Sequence, residues 1–237
     1  LRVPSHVGFS SDPTWNFTEF GGGILRLNDA KARCLLDLSG AVGARLHGLS
    51  LDGAKPEWTC DGDQAELSPD GKRLALRKKE QIVVRDLAAG SEKVIAPKDW
   101  PHCSGPAWSR DGKTIAFAGR WDKGNALFLV AAEGGEPVKV FDKQGACEPH
   151  WSPDGKRLVY ETETNICTID PDGKKNRPVT FFGGVQRYGR FSPDGQSIVY
   201  CQGESEQGPW ELYIIPAQGG TPRKLTEGAS DMTPDWK

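Results

Sequence analysis

Two histidine and cysteine pairs are the residues of this chain best suited to metal chemistry: His102 with Cys103, and Cys147 with His150. Imidazole and thiolate are soft ligands, but the spacing within each pair matches no zinc pattern. Cys103 and Cys147 could therefore share a metal, form a disulfide, or stay unbonded. Nucleophilic catalysis lacks its usual scaffold. No Gly-x-Ser-x-Gly elbow occurs, since Gly48-Leu49-Ser50-Leu51-Asp52 departs at its last position. An HExxH helix, a P-loop and a dinucleotide fingerprint are missing as well. No catalytic residue, metal or other cofactor is assigned, and a binding role is preferred over an enzymatic one.

The elements that must position these residues repeat along the chain. Ser68-Pro69-Asp70-Gly71, Ser109-Arg110-Asp111-Gly112, Ser152-Pro153-Asp154-Gly155 and Ser192-Pro193-Asp194-Gly195 follow one another at intervals of 41, 43 and 40 residues. In each copy Ser caps a turn, the second position presets φ, Asp bonds nearby amides, and Gly takes the left-handed conformation. Leu67, Trp108, Trp151 and Phe191 precede the turns, and short apolar runs such as Arg157-Leu158-Val159-Tyr160 follow them. A second turn ends each unit, at Asp52-Gly53, Ala89-Gly90, Gly134-Gly135, Asp172-Gly173 and Gly219-Gly220. Every unit thus has four strands. In one of them the strands are predicted at Pro149 to Trp151, Arg157 to Tyr160, Asn165 to Asp170 and Pro178 to Phe181.

Four-stranded units of about 40 residues are a radial-blade signature. Leu27-Asn28-Asp29-Ala30-Lys31 registers a degenerate first unit, and Thr233-Pro234-Asp235-Trp236 supplies one further first strand. The segments from His6 to Ser11 and Trp15 to Phe20 resemble the strands which that last unit lacks. The chain is therefore read as all-β: one domain over residues 1–237, a six-bladed β-propeller of four-stranded antiparallel blades, its last blade shared between the termini.

Composition excludes several partners. With 30 basic and 32 acidic side chains interspersed to a net charge of −2, the chain offers no field for nucleic acid. No apolar stretch approaches the ~20 residues that span a bilayer. The start, Leu1-Arg2-Val3-Pro4, has neither Met nor an apolar h-region, so a processed or excised soluble chain is expected. A monomer is expected too.

The run from Pro149-His150-Trp151 through Ser152-Pro153-Asp154-Gly155 to Val159-Tyr160 resembles the WD40-like repeat of the TolB-type β-propeller family, across essentially the whole chain. Such propellers serve as periplasmic binding scaffolds, sensor domains, peptidase lids and a few lyases. The resemblance implies an extracytoplasmic setting and a protein or peptide partner. Some propeller lyases acting on uronic-acid sugars use a histidine-held metal and a basic channel. For a rival lyase reading, His102, His150, Arg187 and Arg190 are the relevant residues. A propeller excised from a larger enzyme or sensor is the other rival.

Strand direction places both sets of repeated turns on one face. Blade links and second-to-third-strand loops fall on the other, and these vary in sequence. Trp108, Trp151 and Trp236 hold the register position that packs blades, whereas Trp100, Trp121 and Trp210 lie beside variable loops, either as local packing or as an aromatic patch for a partner. The inner strands bring Asp63, Glu66, His102, Glu148, His150, Arg187, Arg190, Asp231 and Asp235 to the channel mouth, either as a channel lined by mutually satisfied ions or as a polar pocket, and Tyr188 ends the variable link from Gly183. Arg187 is read as a solvated loop charge that acts on docking. The three loop tryptophans with His102, Glu148, His150, Arg187, Tyr188, Arg190 and Asp235 form the expected partner site.

Overall fold

A computed structural model of the chain describes residues 45–49, 56–61, 63–96, 103–121, 124–142, 145–227 and 234. Among these residues the secondary structure is strand and turn. Four sheets are complete. Blade I contains β3 (Asp63–Leu67), β4 (Arg73–Lys78), β5 (Gln81–Asp86) and β6 (Glu92–Val94); blade II contains β7 (Ser104–Trp108), β8 (Thr114–Trp121), β9 (Gly124–Ala131) and β10 (Val138–Phe141). Blade III follows with β11 (Cys147–Trp151), β12 (Leu158–Glu161), β13 (Ile166–Ile169) and β14 (Arg177–Pro178), and blade IV with β15 (Val185–Phe191), β16 (Ser197–Gly203), β17 (Trp210–Pro216) and β18 (Arg223–Lys224). Neighbouring strands are antiparallel throughout. A separate ladder, β1 (Arg45–Leu49) with β2 (Pro56–Asp61), stands where the last two strands of the first unit are expected. These sheets are consistent with a six-bladed ring; the seam that joins the termini lies outside the described residues.

Alternation along each strand divides its side chains between two neighbours. On β8, Ile115 and Phe117 join the core shared with blade I, while Ala116 and Ala118 join the core shared with blade III. On β12, Leu158 and Tyr160 face blade II, and Val159 faces blade IV. The period-two pattern therefore builds cores between blades. The register tryptophans add a polar stitch. Trp108 Nε1 donates to the Glu66 carbonyl at 3.0 Å, and Trp151 Nε1 donates to the Ala107 carbonyl at 3.2 Å. Phe191 holds the same place in blade IV without an N–H to donate.

The four repeated turns are built alike. Ser68, Ser109, Ser152 and Ser192 donate their hydroxyls to Asp70, Asp111, Asp154 and Asp194 at 2.5 to 2.7 Å. The same hydroxyls accept from the amides of Arg73, Thr114, Arg157 and Ser197 at 2.8 to 2.9 Å. The fourth residue is a glycine at φ between 67° and 70° each time. Arg110 substitutes for proline without disturbing the pattern, since proline only presets a φ that arginine also reaches. Each turn carboxyl is held below the usual aspartate range by its serine hydroxyl and a backbone amide.

Several strand boundaries differ from the sequence expectation, two of them by a whole stretch. The fourth strand of blade III is two residues long and leaves Phe181 exposed, and the stretch read as a loop around Gly119 and Arg120 extends strand β8 to Trp121.

Candidate functional site

Each innermost strand is interrupted near its start. The register shifts between Asp63 and Glu66, Ser104 and Ala107, Cys147 and His150, and Arg187 and Arg190. At each bulge one residue is left-handed: Gln64 at φ 46°, Gly105 at 57°, Glu148 at 47° and Tyr188 at 56°. All four stand four positions ahead of a turn serine. Three are not glycine, so the fold holds side chains there at a cost of about 1 to 3 kcal/mol each. Bulges re-aim side chains. Here they join separate blades: Gln64 Nε2 donates to Glu148 Oε1 at 2.8 Å, and the Gly105 amide donates to Gln64 Oε1 at 3.0 Å. A Cβ on Gly105 would lie 3.1 Å from Glu148, so this glycine makes room for the carboxylate.

Beside these bulges lies a saturated ionic network. Arg187 donates to the carbonyls of Thr162 at 2.8 Å, Glu163 at 3.0 Å and Gln186 at 3.1 Å. It also pairs with Glu206 and stands 4.0 Å from the buried Glu161. Glu161 accepts from the Tyr188 amide at 2.9 Å and from Cys147 Sγ at 3.4 Å. Burial raises its carboxyl above the ordinary range, opposed by Arg187. The same burial, with the Glu161 charge, pushes the Cys147 thiol far up, and the Tyr188 phenol rises for the same two reasons. Cys147 is thus a protonated donor tied to a carboxylate and is poorly placed to act as a nucleophile.

Several expected site residues take other roles. Arg187, read from sequence as a solvated loop charge, belongs to β15 with its side chain 15% exposed, and both its terminal nitrogens are already bonded. Trp210 is 5% exposed and packs over its own hairpin, where a Cβ on Gly203 would lie 3.1 Å from the indole. Tyr188 and Glu148 are the bulge residues themselves. Arg190 is 9% exposed and donates to the Gly189 carbonyl at 3.1 Å. His150 keeps part of its surface open, yet atoms crowd its imidazole. That burial, with the nearby Arg190 charge, holds it well below the usual histidine range. Cys103 and Cys147 are free thiols, and burial lifts Cys103 to about 11. Among the described residues no cluster of metal-ligating side chains forms, and no helix is long and apolar enough to cross a membrane. Trp100, His102 and Asp235 lie outside the described residues, and of Trp121 only the backbone is described.

A cleft of about 350 Å³ opens above the Arg187 network, lined by Arg120, Gly124, Asn125, Gly145, Cys147, Thr162, Glu163 and Arg187. The hairpin between β8 and β9 supplies one wall, the hairpin between β12 and β13 with the link before β11 supplies the other, and β15 gives the floor. Three blades thus contribute, all from the face of links and second-to-third-strand hairpins. Arg120, Asn125 and Glu163 were not singled out from sequence. Only their membership in variable loops pointed toward them.

The chain also has relatives. YuxL of Bacillus subtilis (strain 168), an uncharacterized peptidase, is 25% identical over 188 residues, which cover 73% of this chain and 28% of that protein. The chain therefore spans little more than a quarter of that relative's length. A putative TolB from Agrobacterium tumefaciens has a similar structure, with a TM-score of 0.66 and 23% identity over 73% of this chain and 65% of that one. An oligogalacturonate lyase solved in complex with manganese shares the fold at a TM-score of 0.59, with 20% identity over 78% of this chain and 58% of that one. The family described as the TolB beta propeller domain matches residues 45–237, from the β1–β2 ladder through all four complete blades, and the chain belongs to that family.

Proposed function

We propose that this propeller is a non-enzymatic binding or scaffolding module that engages a protein or peptide partner on the face of blade links and second-to-third-strand hairpins. One observation carries the reading: the cleft draws its walls from loops that differ between blades, whereas the opposite face repeats one hydrogen-bonded turn four times. A concave site with a few convergent polar groups on a rigid scaffold is the usual form of a recognition surface. By its family resemblance the protein works as a monomer outside the cytoplasm. The lyase reading gains less support, because the terminal nitrogens of Arg187, the pair that would grip a sugar carboxylate, are already bonded within the protein. A second reading rests on the peptidase relative, of which this chain spans 28%: the propeller would then be the peptide-admitting domain of a larger enzyme.

Binders selected from a random peptide library on the immobilised chain test the face assignment. Hydrogen exchange should show protection at residues 120–125 and 145–163 on binding. Protection confined to the repeated turns would overturn the reading.

A further inference from the structure

The walls of the cleft differ in kind from its floor. On the floor both terminal nitrogens of Arg187 are bonded to carbonyls or a carboxylate. On the walls, among the described residues, no hydrogen bond or ion pair holds the side chain of Arg120, Asn125 or Glu163. Arg120 is exposed on the blade II side, with Asn125 facing it across the β8–β9 ladder, and Glu163 is exposed on the blade III side. Gly145 brings its backbone to within contact of Glu163, where a Cβ would lie 3.5 Å from Cγ, and Gly124 leaves open space. The cleft thus carries a positive wall, a negative wall, a side-chain amide and one glycine, Gly124, that leaves room for another backbone. A site lined by one sign of charge would select an ion; opposite signs on opposite walls select a ligand that carries both. An amide between them suits a peptide group, to which asparagine can donate and from which it can accept.

We infer that the cleft recognises an extended peptide segment with an acidic side chain directed to Arg120 and a basic side chain directed to Glu163, the Asn125 amide reading the backbone between them. The inference rests on the binding role proposed above and gives that partner its chemistry. Because Arg120 and Glu163 are solvated in the free protein, they set polarity and register more than raw affinity.

The test uses the whole 237-residue chain, labelled with ¹⁵N and titrated with capped pentapeptides. One carries Glu then Lys separated by alanine, a second carries them in reverse order, and a third is all alanine. One charged order should shift the amides of Gly124, Asn125, Gly145 and Glu163, and the alanine peptide should bind at least about threefold more weakly, the scale of an exposed charge pair. The charge-swapped variant Arg120→Glu with Glu163→Arg should prefer the other order. Equal binding of all three peptides, or an unchanged preference in the swapped variant, would overturn the inference. If library peptides still protect this face in that case, the binding role stands and only the charge assignment fails. Shifts confined to the repeated turns would sink both.

Discussion

The two ends of the propeller handle backbone strain differently. On the turn face, the positive φ angles of the Ser-x-Asp-Gly turns all fall on glycine, at Gly71, Gly112, Gly155 and Gly195, where they carry little cost. Toward the other face, Gln64, Lys79, Glu80, Glu148 and Tyr188 are left-handed without being glycine; Lys175 is the exception on the turn side. Hydrogen bonds divide less sharply, since on the turn face Arg73 reaches Gly112 and Glu133 of the next blade and Arg177 reaches Ala217 and Gln218. Turn bonds join residues two to five apart, whereas the bond from Gln64 to Glu148 spans 84 positions and that from the Tyr188 amide to Glu161 spans 27. One end is held by local chemistry repeated four times. Both ends also join neighbouring blades, and the strain tolerated on the second face points to side chains that it keeps for use.

The largest effect should come from the cores that hold both ends. Trp108 is 3% exposed, stitches blade II to Glu66 and lies under Arg73, whose guanidinium carbon is 4.8 Å from the ring centre. Trp108→Ala should cost about 3 to 5 kcal/mol in denaturant unfolding, while Arg120→Ala on the cleft wall stays within about 0.5 kcal/mol. Equal losses would erase the distinction between scaffold and surface.

Next is Gly105→Ala, which places a Cβ at φ 57° and 3.1 Å from Glu148. A loss of about 1 to 3 kcal/mol is expected by the same measurement. No loss would mean that the bulge ring is not under the constraint described.

A smaller effect depends on pH. His150 is held below its ordinary 6.5, so the native state favours the neutral ring. Its contribution is complete above pH 6.5 and declines as pH falls below that value, where the unfolded chain binds the extra proton. His150→Gln should flatten the stability profile below pH 6.5. The turn aspartates, lowered from 3.8, lose their contribution only at still lower pH. Glu161, raised by burial, acts in the opposite sense, which makes the difference between variant and parent the quantity to read. Parallel profiles would contradict the buried neutral imidazole.

The smallest effect has the opposite sign. Lys79 and Glu80 form a two-residue hairpin with φ 48° and 64°, a turn that prefers asparagine and glycine. Lys79→Asn should raise stability by about 0.5 to 1 kcal/mol, which a shift in thermal midpoint would show.

These contrasts also explain what could be read from sequence. The turns were legible because each is closed by neighbours: Ser152, Asp154 and Gly155 carry their own hydrogen-bonding instructions. The alternation in Leu158-Val159-Tyr160 gave the blade faces in the same way. The bulge at Tyr188 was not legible, since nothing in its type asks for a left-handed backbone. Arg187 was misread as a free charge because its partners, Thr162, Glu163 and Glu206, lie 19 to 25 residues away. For Trp210 the sequence left local packing and an aromatic patch both open, because the space it fills is made by Gly203 across the hairpin. Arg120 and Glu163 become neighbours across one cleft only when two blades are placed side by side.

The central claim is that the face of links and hairpins binds, and that the turn face does not. The affinity of one library-selected peptide, measured by calorimetry for the parent, Arg120→Glu and Lys156→Glu, tests it most directly. Arg120→Glu should weaken binding by about tenfold, and Lys156→Glu, an exposed charge beside a repeated turn, should stay within about twofold. Loss in Lys156→Glu with full affinity in Arg120→Glu would contradict the account.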